Sequence, residues 1–255
     1  MSEKRFENKV LLSSGAASGM GFLTCERFVR EGGSVLMADI NPAALEEAVG
    51  RINAIRPGAA VGAVCDVRDY AQVTAARDKA VAAFGRIDVV TNFAGGSEMR
   101  VHRMGKIEFP DVPIEVYDWG IDVNLKGQFY MDHAVMRQMR EQKSGVIINI
   151  GSITGAEGSA TSVAYSASKS GAMIGLTRSL AQYGARYGIR CVCVSPGPVL
   201  TRAAMAKMST LLERAADPDE IVETVLFVAS EKGSFFDGTD LLLDGGRFAM
   251  KRGQG

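Results

Sequence analysis

Short apolar runs alternate with amphipathic stretches of ten or more residues along the whole of this 255-residue chain, and glycines punctuate the joins. The runs are Lys9–Ser13, Ser34–Ile40, Ala59–Cys65, Val89–Asn92, Gly145–Ile150, Arg190–Ser195 and Asp240–Leu243. Helical stretches separate them, reaching to about Arg30, opening at Asn41-Pro42 and at Asp69, and covering Pro113–Gln142, Ser162–Tyr183 and Asp217–Ala229. A shorter helical excursion is expected over Ala203–Arg214. Strands that alternate with helices of this length form parallel sheets, because a parallel neighbour needs a crossover and the crossover is a helix. Right-handed crossovers then give a doubly wound order. The expectation is an α/β, Rossmann-type parallel sheet of about seven strands with helices on both faces. No tandem repeat or linker divides it, so residues 1–255 are read as one catalytic domain with substrate loops around 95–113 and 200–216.

Composition narrows the function classes. Formal net charge is zero, which gives no broad attraction to nucleic acid. With two histidines, His102 and His133, and no Cys-x-x-Cys among Cys25, Cys65, Cys191 and Cys193, no metal site is expected. No apolar run approaches the ~18 residues of a membrane span. The first fifteen residues show no secretory pattern, so a reducing cytoplasm is the expected location.

Two motifs carry chemistry. The turn Gly15-Ala16-Ala17-Ser18-Gly19-Met20-Gly21 lies between the first strand and its helix, where glycines allow a tight bend and close approach of a pyrophosphate to free helix N–H groups. Asp39, about twenty residues past Gly19, ends the second strand. A carboxylate there accepts hydrogen bonds from ribose hydroxyls and repels a 2′-phosphate. Neither Ser18 nor Ile40 offers a basic group for such a phosphate, so NAD is favoured over NADP. Farther on, Tyr165 and Lys169 are four apart, on one face of a helix. An ammonium near a phenol favours the phenolate, which makes an otherwise weak base usable. Ser152 follows the Gly145–Ile150 strand at the sheet edge where ligands bind in open α/β folds. Asn124 falls in a helix that can line the same crevice.

Taken in order, these residues resemble the short-chain dehydrogenase/reductase family from Val10 to about Gly246. The resemblance rests on Ser14–Gly21, Asp39, Cys65-Asp66-Val67, Asn92-Phe93-Ala94-Gly95, Asn124, Ser152, Tyr165 with Lys169, and Pro196-Gly197-Pro198-Val199 with Thr201. It implies that Asp66 and Val67 contact adenine, and that Asn92, Ala94 and Gly95 run beside the adenosine ribose and support the sheet. It implies that Tyr165 is the acid/base, and that Lys169 holds the nicotinamide ribose and lowers the tyrosine pKa. Ser152 would position the substrate oxygen. Asn124 would anchor a water of the proton relay, and Pro196, Gly197, Val199 and Thr201 would form the nicotinamide-side loop. Ser14, Phe93 and Ser195 depart from the usual residues without removing a catalytic group. The family also implies a homotetramer or dimer, through helices equivalent to Pro113–Gln142 and Ser162–Tyr183 and the last strand.

The expected activity is NAD-dependent interconversion of a secondary alcohol (a small alcohol, polyol, sugar or hydroxy acid) and its ketone. A 3-oxoacyl thioester reductase and a non-catalytic dinucleotide sensor stay open as alternatives. The segment Gly95–Pro113 is longer than in compact members, and the one from Thr201 to Pro218 is shorter. The former carries Arg100, His102, Arg103 and Lys106, and Arg100 and Arg103 are candidates for an anionic substrate group, which arginine suits.

Overall fold

In a computed structural model describing residues 4–250, seven parallel strands form one sheet in the order β3-β2-β1-β4-β5-β6-β7. Residues 1–3 and 251–255, which the expected domain and the leader argument include, lie outside the described range. The strands are β1 Val10–Ser14, β2 Ser34–Asp39, β3 Ala60–Val64, β4 Val89–Asn92, β5 Gly145–Ile150, β6 Ile189–Pro196 and β7 Asp240–Leu243. The helices are α1 Gly19–Arg30, α2 Pro42–Ile55, α3 Tyr70–Phe84, α4 Glu98–Val101, α5 Ile114–Ile121, α6 Gly127–Gln142, α7 Ile153–Glu157, α8 Val163–Gly171, α9 Thr177–Gly184 and α10 Pro218–Ala229. The order reverses between β1 and β4, as expected of a doubly wound sheet.

Strand side chains alternate faces, and both faces are buried. Leu11, Val35, Val89, Ile148 and Val192 point to one side, where α1, α2 and α10 supply Phe28, Leu45 and Val225. Their neighbours Leu12, Leu36, Val90, Ile147 and Cys191 point to the other, against Val73 of α3 and Val135 and Met139 of α6. Polar side chains cap the helix starts. Asn41 accepts from the Ala44 N–H ahead of Pro42, and Asp217 forms a capping box with Glu220. At Asp69 the cap is modified: its carboxylate accepts from Ala71 and Gln72 N–H, while the Gln72 side-chain Oε1 accepts from Asp66 N–H.

A sheet that is apolar on both faces specifies register weakly, because a one-residue slip trades one buried apolar side chain for another. Polar pairs fix it here. Asn92 and Asn149 are register partners on β4 and β5, and Asn92 Nδ2 donates to Asn149 Oδ1 at 2.9 Å and to Asp132 Oδ1 of α6 at 2.7 Å. Ser13 and Thr91, partners on β1 and β4, share a 2.9 Å hydroxyl bond. A slip would bury each amide unpaired, at about 1–3 kcal/mol apiece.

Two expected helices are interrupted. Pro113–Gln142 becomes α5, a π turn at Asp122–Lys126, and α6; Ser162–Tyr183 becomes α8, a π turn at Ala172–Leu176, and α9. Side chains inside the ladder accompany the widening. Asn124 Nδ2 donates to Gly120 O, the carbonyl that an α-helical pattern assigns to its own N–H, and Gln128 Nε2 does the same to Asn124 O. Thr177 Oγ1 donates to Ala172 O in the second case. The expected excursion at Ala203–Arg214 shrinks to a 3-10 helix at Ala203–Lys207, followed by turns. Residues 95–113 do carry order of their own: α4 packs with Val112 and Val116 in a small apolar cluster around Met99. Among the described residues, no helix is long and apolar enough to cross a membrane, and no group of three potential ligands could hold a metal ion.

Candidate active site

The β1–α1 turn shows why it is built from glycine. Gly15 (φ +62°) sits so close to the next strand's exit that a Cβ would meet Ala94 N at 2.7 Å, and a Cβ on Gly21 would strike the Gly15 carbonyl. Gly19 (φ +56°) has nothing near its missing side chain, so only its backbone conformation calls for glycine. Ser14 Oγ accepts from Ala94 N–H, tying the ends of β1 and β4. Asp39 spans the turn with one oxygen on Ala17 N–H and the other on Asn41 N–H, each at 3.0 Å.

These groups border a cleft of about 340 Å³ along the carboxyl edge of the strands. Gly15, Ser18, Met20 and Gly21 form one wall; Asp39 and Ile40, Asp66 and Val67, and Ala94 and Gly95 form the others. The larger pockets at the opposite sheet edge and beside α6 hold none of these residues. Among the described residues, Arg68 is the one cation on the cleft lining, and it is forked on Asp66 at 2.6–3.0 Å, which holds that carboxyl below its usual range. Asn92 does not face the cleft: its side chain turns into the interior network with Asp132 and Asn149.

At the inner end of the cleft, Gly95 separates two functional side chains. A Cβ there would strike Asn124 Oδ1 and lie 3.8 Å from Lys169 Nζ. Asn124 is fully buried, accepts from Gly96 N–H at 2.9 Å and donates back to Gly96 O at 2.9 Å, so it locks the chain after β4. Lys169 donates to Ile150 O at 2.6 Å, and burial pulls its pKa down to about 8. Its ammonium stands 5.6 Å from the centroid of the Tyr165 ring. Ser152 caps α7 through Thr154 N–H, and its hydroxyl faces the Tyr165 phenol.

The electrostatics of Tyr165 differ from expectation. Burial pushes its pKa above the usual value, and the influences that oppose this are Ser152, Arg100 and Arg202 rather than Lys169. Lys169 is engaged with the Ile150 carbonyl and shares its charge there. Arg100, a candidate substrate residue, lies over Gly96, where a Cβ would meet its guanidinium. Arg103, the other candidate, is exposed, has φ +54° and makes no ion pair with a described residue. Pro196, Gly197, Val199 and Thr201 follow β6, and Gly197 is glycine because Asp244 leaves a Cβ only 2.5 Å. This segment brings in Arg202, which sequence reading missed.

Glu98 was missed as well. Its side chain is fully buried, and its two oxygens accept from Ala164 and Tyr165 N–H at 3.1 Å each. It thus caps α8 from a different segment, while the helix's own Ser162 makes no cap bond and pairs instead with Ser97 at 2.7 Å. Glu98→Ala should cost about 1–3 kcal/mol, read as a lower guanidinium midpoint at unchanged m. An unmoved midpoint would show that the cap contributes nothing.

Comparison with known proteins bears on what these elements do. A family model described as short chain dehydrogenase matches residues 9–211. D-threitol dehydrogenase of Mycolicibacterium smegmatis is 35% identical over 253 residues, covering 95% of this chain and 94% of its own. A solved NAD+-bound xylitol dehydrogenase superposes with TM-score 0.84 at 30% identity, over 95% of this chain and 100% of that one. A 3-oxoacyl-acyl-carrier-protein reductase with bound NAD from Brucella melitensis superposes with TM-score 0.88 at 30% identity, over 98% and 94%.

Proposed function

Since the chain belongs to the short-chain dehydrogenase/reductase family and is an oxidoreductase of that family, we propose that it interconverts a secondary alcohol and its ketone with NAD as partner and Tyr165 as acid/base. The observation that carries this reading is the meeting of Asn124 and Lys169 at Gly95, with Tyr165 beside Lys169 and Ser152 beside Tyr165, at the end of a cleft that begins with a glycine turn and Asp39. A dinucleotide fits that cleft by its walls: Gly15 and Gly21 leave no room for side chains where backbone must approach a pyrophosphate, and the start of α1 turns N–H groups toward it. When bound, the nicotinamide supplies the hydride chemistry.

The chain's own residues handle the oxygen and its proton. Ser152 holds the substrate oxygen beside the phenol, and Tyr165 takes the carbinol proton in oxidation or returns it in reduction. Lys169 ties the helix carrying Tyr165 to β5 through the Ile150 carbonyl, and Asn124 fixes the backbone at Gly96 beside it. Asp39 supports NAD over NADP, since its fixed carboxylate suits ribose hydroxyls and repels a phosphate, and Arg68, the cation on the cleft lining, is already neutralised by Asp66. The same carboxylate does not separate an alcohol dehydrogenase from a thioester reductase, because a relative described as an oxoacyl reductase binds NAD.

The test is dinucleotide reduction over a panel of alcohols, polyols, hydroxy acids and 3-hydroxyacyl thioesters, with NAD+ and NADP+ side by side. Turnover of none would overturn the reading. In the same assay Asp39→Ser should lower the ratio of kcat/KM for NAD+ over NADP+ by about 10–100-fold, the worth of hydrogen bonds to one charged group. An unchanged ratio would remove Asp39 as the selector.

A further inference from the structure

We propose that Glu98 is a positioning residue for the proton transfer at Tyr165: its buried carboxylate fixes the turn of α8 that carries the phenol to the segment lining the inner end of the dinucleotide cleft. This deepens the function proposed above and rests on it. Ala94 and Gly95 line the cleft, and Asn124 holds the next residue, Gly96, by both its N–H and its carbonyl. Two residues on, Glu98 reaches α8 and accepts from the Ala164 and Tyr165 N–H groups at 3.1 Å each. Between these ties, the Ser97 hydroxyl shares a 2.7 Å bond with that of Ser162, at the start of the same helix. Residues 94–98 thus run as one bracket from the cofactor wall to the backbone of the proton carrier. Helix α5 closes the bracket from a third side. A Cβ on Gly120 would lie 2.9 Å from Ala164 Cβ and 3.2 Å from Glu98 Cβ, so glycine there lets α4, α5 and α8 meet.

A cap for stability alone calls for less. Ser162 already stands at the N-cap position, where a serine serves most helices, yet it makes no cap bond. In its place the chain buries a carboxylate completely, and that carboxylate makes no ion pair with a described residue. A buried charge without a cation is costly to keep. What it adds over a serine is reach from a distant segment and a fixed negative charge beside Tyr165. The groups that bear on the phenol are Ser152 after β5, Arg100 and Glu98 of α4, Arg202 after β6, and Lys169 farther along α8. Glu98 is the anion among them. A negative charge near a phenol disfavours the phenolate, so Glu98 adds to the burial that raises the Tyr165 pKa. The residue that seats the phenol thereby leaves a mark on its titration.

That mark can be read without a substrate. Phenolate absorbance in the near ultraviolet is followed against pH in each protein and in its Tyr165→Phe counterpart, and the difference is the titration of Tyr165. Glu98→Gln keeps an acceptor and the side-chain size but not the charge. Its Tyr165 midpoint is expected about half a unit or more below that of wild type. With an alcohol that wild type oxidises, its single-turnover rate should fall about tenfold or more, since a small misplacement of a reacting group is costly in rate. Asp217→Ala uncaps α10 instead, and should lower the denaturation midpoint while moving neither readout. An unmoved Tyr165 midpoint or a wild-type single-turnover rate in Glu98→Gln overturns the proposal and leaves Glu98 a stability cap. If Glu98→Gln does not fold, Glu98→Asp takes its place. It keeps the charge and shortens the reach by one methylene, so it should slow the single turnover with the Tyr165 midpoint in place; a wild-type rate there overturns the proposal. Failure of the parent reading looks different. An alcohol oxidised by wild type alongside an unmoved midpoint in Glu98→Gln leaves the dehydrogenase standing without this role for Glu98. No alcohol oxidised by wild type overturns both, and a shifted midpoint then shows only that Glu98 acts on the phenol.

Discussion

Tyr165→Phe is expected to lower kcat for alcohol oxidation by about 10²–10⁴-fold, the usual worth of a positioned acid/base group. Dinucleotide affinity should change little. The substitution removes one oxygen and keeps the ring, and the Tyr165 backbone N–H still reaches Glu98, so α8 keeps its cap. Lys169 still donates to Ile150 O. The loss is therefore chemical rather than structural, which single-turnover rates and an unchanged denaturation midpoint would establish together. Wild type carries a second signature. Burial raises the tyrosine pKa, so the phenolate needed for oxidation is scarce at neutral pH and grows on the alkaline side. Oxidation should climb with pH while ketone reduction, which needs the phenol, should not. A variant as active as wild type would sink the assignment of Tyr165.

The second large effect concerns stability. Asp132 is fully buried, and desolvation raises its pKa to about 7. Its Oδ2 and Asn92 Oδ1 are buried without partners, although the two side chains already share a bond through Asp132 Oδ1 and Asn92 Nδ2. A proton on Asp132 supplies the donor this pair lacks. The folded state then holds a proton that the unfolded chain, with a pKa of about 3.9, has released. Stability contributed by this group is full below about pH 4 and is lost as pH rises to about 7, at roughly 1.4 kcal/mol per unit, for a total of about 4 kcal/mol. Asp132→Asn keeps the shape and provides an N–H for Asn92 Oδ1 at every pH. It should flatten the fall in the denaturation midpoint between pH 5 and 7 and leave the variant more stable than wild type at pH 8. Superimposable midpoint-against-pH curves would refute the protonated acid.

The architecture was legible because its signals are local. Gly145–Ile150 is an uninterrupted β-branched run, Asn41-Pro42 and Asp217-Pro218 announce helix starts, and Tyr165 and Lys169 share a face by spacing alone. The parts that were not legible are contacts between distant segments. Glu98 meets α8 across 66 residues, and Asn92 meets Asp132 across 40. The π turns escaped because they need a side chain to intrude on the ladder, as Asn124, Gln128 and Thr177 do, and an amide or hydroxyl within a helical stretch more often points to solvent.

Glu98 and Arg100 are two residues apart on the same short helix, one fastened to the backbone beneath Tyr165 and the other laid over Gly96. On the function proposed above, choice of substrate and competence of the proton carrier are thereby inherited together. A lineage that rewrites residues 95–113 to accept a new molecule must keep an acceptor at position 98 or loosen the residue that does the chemistry. Specificity here is not a detachable cassette, and a loop borrowed from a relative would have to bring its own anchor for α8.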